Sequence, residues 1–176
     1  MFLRRIEMTF HETEQVVPFR CAIYLDWLNI KMSGGQNLDF DKLFEHIRGK
    51  SGIVRIANFY APEAYDDQIP LYDAIRKSGF KIVLVPEKGR GERGQFNCDT
   101  MMSVDMVTQT DGLDAVYLLT NDYDFIPAVR YLRGKGIRTL LIYVDKPSND
   151  LRNEVDECRH AGQLNLIPDK RPRGDK

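Results

Sequence analysis

Short apolar runs alternate with helix-like segments along this chain, and that alternation restricts the possible fold more than any other feature of the sequence. Strand-type runs occur at residues 21–26, 53–60, 81–85, 115–120 and 138–144. Apolar residues at helical spacing predict helices at residues 40–48, 69–77, 99–109, 125–133 and 149–158, and a short last strand is predicted at 164–167. Strands that alternate with helices imply right-handed crossovers and a mostly parallel sheet with helices on both faces.

The strand-type runs are apolar at nearly every position, as in the stretches VYLL and TLLIYV. Such runs are typical of strands that are buried on both faces. The predicted fold class is therefore α/β, open and doubly wound. The strand order is not visible in the sequence, but in the common order 3-2-1-4-5 the first and fourth strands are neighbours, and ligands bind beyond their carboxyl ends.

The length of 176 residues suits one compact domain with short tails. We predict an N-terminal arm at 1–18, a domain at 19–168 and a basic C-terminal tail at 169–176. The composition, 43% hydrophobic and 29% charged, is that of an ordinary globular chain. No apolar run approaches the roughly 20 residues of a membrane helix, and the first residues do not form a signal peptide, so a cytoplasmic location without a membrane partner is expected. The three dispersed cysteines predict neither a disulfide framework nor a zinc site.

Acidic residues follow the predicted strands at positions that a parallel sheet would bring together. Asp26 ends the first strand, and Asp122 and Asp124 follow the fourth. Asp99 begins the helix that leads into the fourth strand, so its side chain can reach the same rim. If the first and fourth strands are neighbours, these four carboxylates converge.

Converging carboxylates repel one another, and their pKa values rise unless a cation compensates. Hard divalent ions prefer oxygen ligands, and Mg²⁺ combines a few carboxylates with water and substrate phosphate. This pattern predicts metal-assisted hydrolysis of a phosphodiester. A structural reading remains open for each acid, because Asp99 and Asp124 precede helices, where aspartate is a common cap, and Asp26 can simply begin a loop.

Two further polar residues lie close to these acids in sequence. Asn29, three residues after Asp26, can orient that carboxylate or form a local turn. Asp105 flanks an apolar helix face, where a carboxylate needs a partner or a cation. The histidines are scattered and do not form a general-base site.

Basic and aromatic side chains near the predicted rim are the candidates for RNA contact. They are Lys88, Arg90 and Arg93 in the glycine-rich loop before Asp99, Trp27 directly after the first acid, and Lys31 and Arg130. The loop can hold phosphates or form a solvated hairpin tip, and Trp27 can stack on a base or pack under the loop. Arg130 shares a helix face with Arg133 that can instead be merely solvent-exposed. The net charge of −1 argues mildly against a nucleic-acid binder but leaves room for a local basic patch.

Three stretches carry a resemblance to a known family. The stretch AIYLDWLN at 22–29 resembles the φ-φ-D-x-x-N opening of NYN domains, a branch of the PIN-like nucleases that includes the LabA-like bacterial proteins. Residues 97–105 resemble the K-G-x-D-x-x-L-x-x-D helix of that family, and TNDYDF at 120–125 resembles its S-G-D-x-D-F signature. The lysine of the second motif is absent, and Asn121 stands at the glycine of the third, but every acid is kept.

The resemblance implies a Rossmann-like PIN fold and a ribonuclease that uses Mg²⁺ or Mn²⁺ to activate water and leaves a 5′-phosphate. By the same resemblance, the catalytic, metal-binding acids are Asp26, Asp99, Asp122 and Asp124, and the supporting residues are Asn29, Asp105, Thr120 and Asn121. The predicted function is a metal-dependent endoribonuclease that acts on RNA, with single-stranded RNA as the expected partner. The alternatives are an RNA-binding or regulatory module of the same fold that does not cut, or a metal-dependent phosphoesterase that acts on nucleotides. Homo-oligomerisation is left open.

Overall fold

The computed structural model describes residues 19–63, 68–86 and 98–167. Its centre is a six-stranded, fully parallel sheet with the strand order β3-β2-β1-β4-β5-β6. The strands are β1 (Arg20–Asp26), β2 (Ile53–Pro62), β3 (Lys81–Val85), β4 (Ala115–Leu119), β5 (Arg138–Tyr143) and β6 (Glu157–His160). The predicted α/β class is thereby confirmed, and β1 and β4 are neighbours, as the order 3-2-1-4-5 requires.

Six α-helices connect the strands in the part of the chain that the structure describes. They are α1 (Trp27–Ile30), α2 (Phe40–Ser51), α3 (Ile69–Lys77), α4 (Cys98–Thr108), α5 (Ile126–Gly134) and α6 (Asn149–Glu154). A π-helical turn (Lys31–Gly35) continues α1, and short 3₁₀ turns lie at Tyr123–Phe125 and Ala161–Leu164. Among the described residues, no helix has the length and apolarity that a bilayer span requires.

The sheet separates two apolar layers, and β1 contributes to both. Because successive side chains of a strand point to opposite faces, Ile23 and Leu25 enter the layer beneath α1, α2 and α3, whereas Tyr24 enters the layer beneath α4, α5 and α6. The whole of β1 after Arg20 is buried. This double burial is the physical reason for the near-continuous apolar strand runs.

The predictions for the last part of the domain were wrong in two places. The predicted helix at 149–158 ends at Glu154 and is followed by β6, because Asp156 is held to β5: its carboxylate accepts the backbone N–H of Thr139 at 2.8 Å and the Thr139 hydroxyl at 3.0 Å. The predicted strand at 164–167 is replaced by the 3₁₀ turn, which ends where Asn165 adopts φ 56°. At residues 157–158, pairing with β5 outweighs the helical spacing of apolar residues that predicted a helix. At residues 164–167, a turn forms in place of the predicted strand.

Other predictions differ from the structure at the ends of elements or fall outside it. The helix predicted to start at Asp99 begins at Cys98, so Asp99 lies in the first turn of α4 and is not its cap. The arm at 1–18, the tail at 169–176 and the loop with Lys88, Arg90 and Arg93 lie outside the described residues. The domain limits 19–168 remain a prediction.

Gly35 lies where the π-helical turn comes close to Val144, the residue that follows β5. A Cβ atom added at this position would lie 2.6 Å from Cγ2 of Ile30, 2.8 Å from the Ile30 carbonyl oxygen and 3.0 Å from Cγ2 of Val144. Contacts this short force the surrounding atoms to move, and one of them is a backbone atom. The turn after β1 can therefore lie against the sheet edge only because residue 35 lacks a side chain.

We expect Gly35→Ala to lower the free energy of unfolding by about 1–3 kcal/mol, the usual cost of overpacking. Urea denaturation of both proteins measures the difference. Gly49→Ala is the matched control, because a Cβ at Gly49 meets no atom within 4 Å and the position lies inside α2. That control should be neutral or stabilising by up to about 1 kcal/mol, and equal effects of the two substitutions would contradict the packing argument.

Candidate metal centre

The candidate site lies at the carboxyl edge of β1 and β4. These strands are paired in register up to Leu25 and Leu119, so the residues that follow them, Asp26 and Thr120, meet at the same edge. The Thr120 hydroxyl lies 3.4 Å from Oδ2 of Asp26, at the limit of a hydrogen bond. The sheet itself therefore brings the first and third sequence motifs together.

Asp26 is the buried member of the acidic group, with 3% of its surface exposed. Its Oδ1 accepts the backbone N–H of Asn29 at 3.2 Å, so it also caps the first turn of α1. Burial raises the pKa of Asp26 to about 6; the hydrogen bond from Asn29 opposes this rise, and the nearby charges of Asp99 and Asp122 add to it.

Three other carboxylates form a tight cluster above this edge. One oxygen from each of Asp99, Asp122 and Asp124 lies within 4.8 Å of the other two. Asp99 comes from the first turn of α4, and the other two come from the loop after β4. Burial raises the pKa of Asp99, and the charges of Asp122 and Asp124 raise it further. These three side chains are the acidic cluster. Asp26 lies beside this cluster and is not part of the three-oxygen group.

The loop after β4 has a hydrogen-bonded shape that fixes both of its acids. The backbone N–H of Asp122 donates to the Thr120 hydroxyl at 3.1 Å, and Oδ1 of Asp122 accepts the N–H of Asp124 at 3.0 Å. Thr120 is fully buried, so its hydroxyl is a fixed point between Asp26 and the cluster. The D-x-D spacing thus arises from a turn in which the first aspartate caps the second.

The donor set of the acidic cluster fits a hard divalent cation. Carboxylate oxygens are the ligands that Mg²⁺ and Mn²⁺ prefer. Within the described ranges, neither Asp26 nor any member of the cluster forms an ion pair with lysine or arginine. The negative charge that the fold concentrates here is therefore left for a cation to balance.

Asn121 joins the loop to α1, to the π-helical turn and to the residue after β5 through three hydrogen bonds. Its backbone N–H donates to Oδ1 of Asn29 at 2.8 Å, and its side-chain amide donates to the Ser33 hydroxyl at 2.5 Å. Its Oδ1 accepts the N–H of Val144 at 3.4 Å. A glycine, which the family pattern has at this position, could not form the two side-chain hydrogen bonds. Asn121 therefore holds the loop in place through contacts that the family residue lacks. Ser33 was missed by the sequence analysis, because nothing near it in sequence identifies its partner.

Asp105 is not a member of the acidic cluster, and its carboxylate is hydrogen-bonded to an uncharged side chain, that of Tyr60. The Tyr60 hydroxyl donates to Oδ2 of Asp105 at 2.5 Å and accepts the side-chain amide of Asn58 at 3.1 Å. The Tyr24 hydroxyl donates to the backbone oxygen of Asp105 at 3.3 Å. Burial, together with the hydrogen bond to Asp105, raises the pKa of Tyr60 above its usual range. Asp105 thus attaches α4, the helix that carries Asp99, to the sheet.

Two of the candidates for RNA contact, Trp27 and Arg130, have other partners in the fold. Trp27 has 3% of its surface exposed and packs against Phe59 and Phe40 at ring-centroid distances of 5.3 and 5.8 Å, so the prediction that it stacks on a base was wrong. Arg130 donates to Glu154 at 2.6 Å, an exposed ion pair between α5 and α6. Lys31 is exposed and remains a candidate.

Comparison with known proteins agrees with this fold. The NYN domain family matches residues 20–161 of the chain. A solved structure of a protein of unknown function from Vibrio parahaemolyticus is similar, with a TM-score of 0.75 and 20% sequence identity over 86% of this chain and 97% of that one. At that identity the similarity concerns the fold alone. Among curated proteins, no sequence matches the chain.

The parallel sheet, the acids at its carboxyl edge and the match over most of the chain define the class: this is a PIN-like domain with a nuclease-type fold. Within that superfamily, the chain belongs to the NYN domain family.

The buried carboxyl of Asp26 makes the stability of the metal-free protein depend on pH. Because its pKa is raised in the folded state, folding favours the protonated form, and stability is lost as the pH rises through about 6. In EDTA, lowering the pH from 7 to 5 should therefore increase the free energy of unfolding by about 1 kcal/mol through this group. Urea titrations at the two pH values measure the change. Asp26→Asn, which keeps the capping oxygen, should remove that part of it; an unchanged pH dependence in the variant would contradict this account.

The contact between Tyr60 and Asp105 gives a second prediction. Tyr60→Phe removes the hydroxyl and leaves a partly buried carboxylate without its donor, which should lower the free energy of unfolding by about 1–3 kcal/mol. Denaturant unfolding measures the loss. Tyr123→Phe is the control, since Tyr123 is 62% exposed and should tolerate the same change within about 0.5 kcal/mol. A loss as large in the control would show that the hydrogen bond is not the cause.

Proposed function

We propose that this protein is a divalent-metal-dependent endoribonuclease that hydrolyses phosphodiester bonds of single-stranded RNA. The observation that carries the proposal is the convergence of Asp99, Asp122 and Asp124, whose carboxylate oxygens lie within 4.8 Å of one another at the carboxyl edge of the sheet. Membership of the NYN domain family supports a nuclease-type activity.

The acidic cluster would hold Mg²⁺ or Mn²⁺. Such an ion would supply Lewis-acid chemistry, namely polarisation of the phosphodiester and a lower pKa of the attacking water. The protein contributes the positioning: Thr120 and the turn between Asp122 and Asp124 fix two of the ligands, and α4 presents Asp99.

Asp26 acts from beside the cluster in this proposal. Its buried charge lies close enough to Asp99 and Asp122 to interact with both, and it therefore strengthens the preference of the site for a cation. We include Asp26 among the metal-binding acids, as the resemblance to the family implies. Asn29 and Asn121 hold the two loops that carry these acids in contact with each other.

Cleavage of a 5′-labelled, unstructured RNA in Mn²⁺, Mg²⁺ or EDTA tests the proposal. The wild-type protein should cut internally only with a divalent ion, and Asp122→Asn should reduce the rate at least about 100-fold, because a catalytic metal contributes several kcal/mol to the barrier. Asp111→Asn is the matched control, since Asp111 is exposed in the turn before β4, at the opposite end of the strand. Metal binding is read independently from the rise in melting temperature with Mn²⁺, which Asp122→Asn should diminish and Asp111→Asn should not.

The outcomes separate the proposal from its alternatives. RNA binding without cleavage in any divalent ion would favour a binding or regulatory module of the same fold. Turnover of nucleotides or small phosphate esters with RNA left intact would favour a phosphoesterase. Equal cleavage by the wild type and Asp122→Asn would mean that the observed activity does not come from this site.

A further inference from the structure

A groove opens between α4 and α5, directly beside the acidic cluster. Its volume is about 580 Å³, within the range of small-molecule pockets. Asp99 and Asp124 form part of its wall, so the groove and the cluster share two carboxylates. We call this space the α4–α5 groove.

The lining of the groove follows from helical spacing. On α4, Asp99, Ser103 and Val107 recur every four residues and therefore lie along one stripe. On α5, Pro127 and Tyr131 have the same relation. The α4 stripe is acidic at Asp99, polar at Ser103 and apolar at Val107, whereas the α5 stripe consists of a proline and a tyrosine. The groove thus joins a charged end to an apolar slot.

The apolar part of the groove is open to solvent. Val104 is 52% exposed and Tyr131 is 43% exposed, although both are large apolar or aromatic side chains. Lys135, one turn beyond Tyr131, places its ammonium group 5.5 Å from the centroid of the Tyr131 ring. Going outward from the cluster, the chain therefore presents acids, then an apolar slot with an aromatic ring, then a positive charge.

This order of groups matches one nucleotide and its neighbouring phosphates. A phosphate at the acidic cluster is attracted only through a cation, a base suits the slot lined by Val104 and Tyr131, and the next phosphate suits Lys135. An apolar peptide would leave the acidic end without a partner. A stacked, paired base would not be free to enter the slot, because its faces are covered by its neighbours in the helix.

We propose that the α4–α5 groove binds one unpaired nucleobase of the RNA, adjacent to the phosphate at the acidic cluster, with Tyr131 in contact with that base. The proposal rests on the proposed function and deepens it: the site selects single-stranded RNA because it requires a base that has left the stack. Affinity then depends on contact with the base and not on sequence, since every base offers an aromatic face.

The test combines variants of the groove with an abasic RNA. Binding is measured by fluorescence anisotropy of a labelled single-stranded RNA with the full chain, in Ca²⁺ in place of Mn²⁺, because Ca²⁺ takes the same oxygen ligands and the acidic cluster is then kept intact. Tyr131→Ala should raise the Kd about tenfold, and Tyr131→Phe should stay within about twofold, because the ring and not the hydroxyl makes the contact. Val104→Ser should also weaken binding. Its matched control is Ile69→Ser, since Ile69 is 50% exposed at the start of α3, on the other face of the sheet.

The abasic RNA identifies the partner of Tyr131. With Tyr131 in place, removal of the base that occupies the groove should weaken binding of the RNA. In the Tyr131→Ala protein, removal of the same base should have little further effect on the Kd. Additive losses at every position, unchanged binding of Tyr131→Ala, or equal affinity for duplex RNA would each overturn the proposal. So would a dimer that Val104→Ser dissociates, because a second copy of the chain would then occupy the groove.

A cleavage assay keeps this proposal separate from the proposed function. If Mn²⁺-dependent cleavage occurs but the abasic and Tyr131→Ala effects are additive, the groove proposal fails and the nuclease proposal stands. If no cleavage occurs but the two effects are not additive, base binding stands and the nuclease proposal fails.

Discussion

Repulsion among carboxylates at one edge of the sheet is the constraint on which the rest of the structure depends. Asp26 is buried beside Asp99 and Asp122, and its pKa rises to about 6 as a result of burial and of their charges. The fold does not relieve this repulsion with lysine or arginine, since no such ion pair reaches these acids in the described ranges. The same lack of compensation that costs stability leaves a negative charge that a bound cation would balance.

Neutral hydrogen bonds hold the acids in place instead. Thr120 bonds to the loop that carries Asp122, and Asn121 joins that loop to Asn29 and Ser33. Hydroxyl and amide groups can fix a carboxylate-bearing loop without cancelling its charge, which a basic residue would do. The close approach of the π-helical turn at Gly35 serves the same arrangement, because this turn carries Ser33. A rigid, negatively charged edge is the result.

The second part of the site depends on how α4 is held. The carboxylate of Asp105 is bound by the Tyr60 hydroxyl, and Tyr24 bonds to its backbone oxygen, so the helix is fixed to β2 and β1 at one point. That attachment sets both where Asp99 meets the cluster and how far α4 stands from α5. The acidic cluster and the α4–α5 groove therefore both depend on the hydrogen bonds that hold α4 to the sheet. Arg130, a candidate for phosphate contact on α5, is paired with Glu154 in the fold.

The sequence by itself determined the class of the fold and the identity of the acids. The spacing of apolar residues is a local property of the chain, and it predicted β1 to β5 and the helices between them. Three short motifs predicted which aspartates converge. Only the tertiary structure decided that Trp27 is packed between Phe40 and Phe59, that residues 157–160 pair with β5, and that Ser33 and Tyr60 support the site. These outcomes depend on partners 13 to 88 residues apart along the chain, for instance the 45 residues between Tyr60 and Asp105. A local pattern carries no information about such partners, because the free energy that selects them comes from burial and pairing across the sheet.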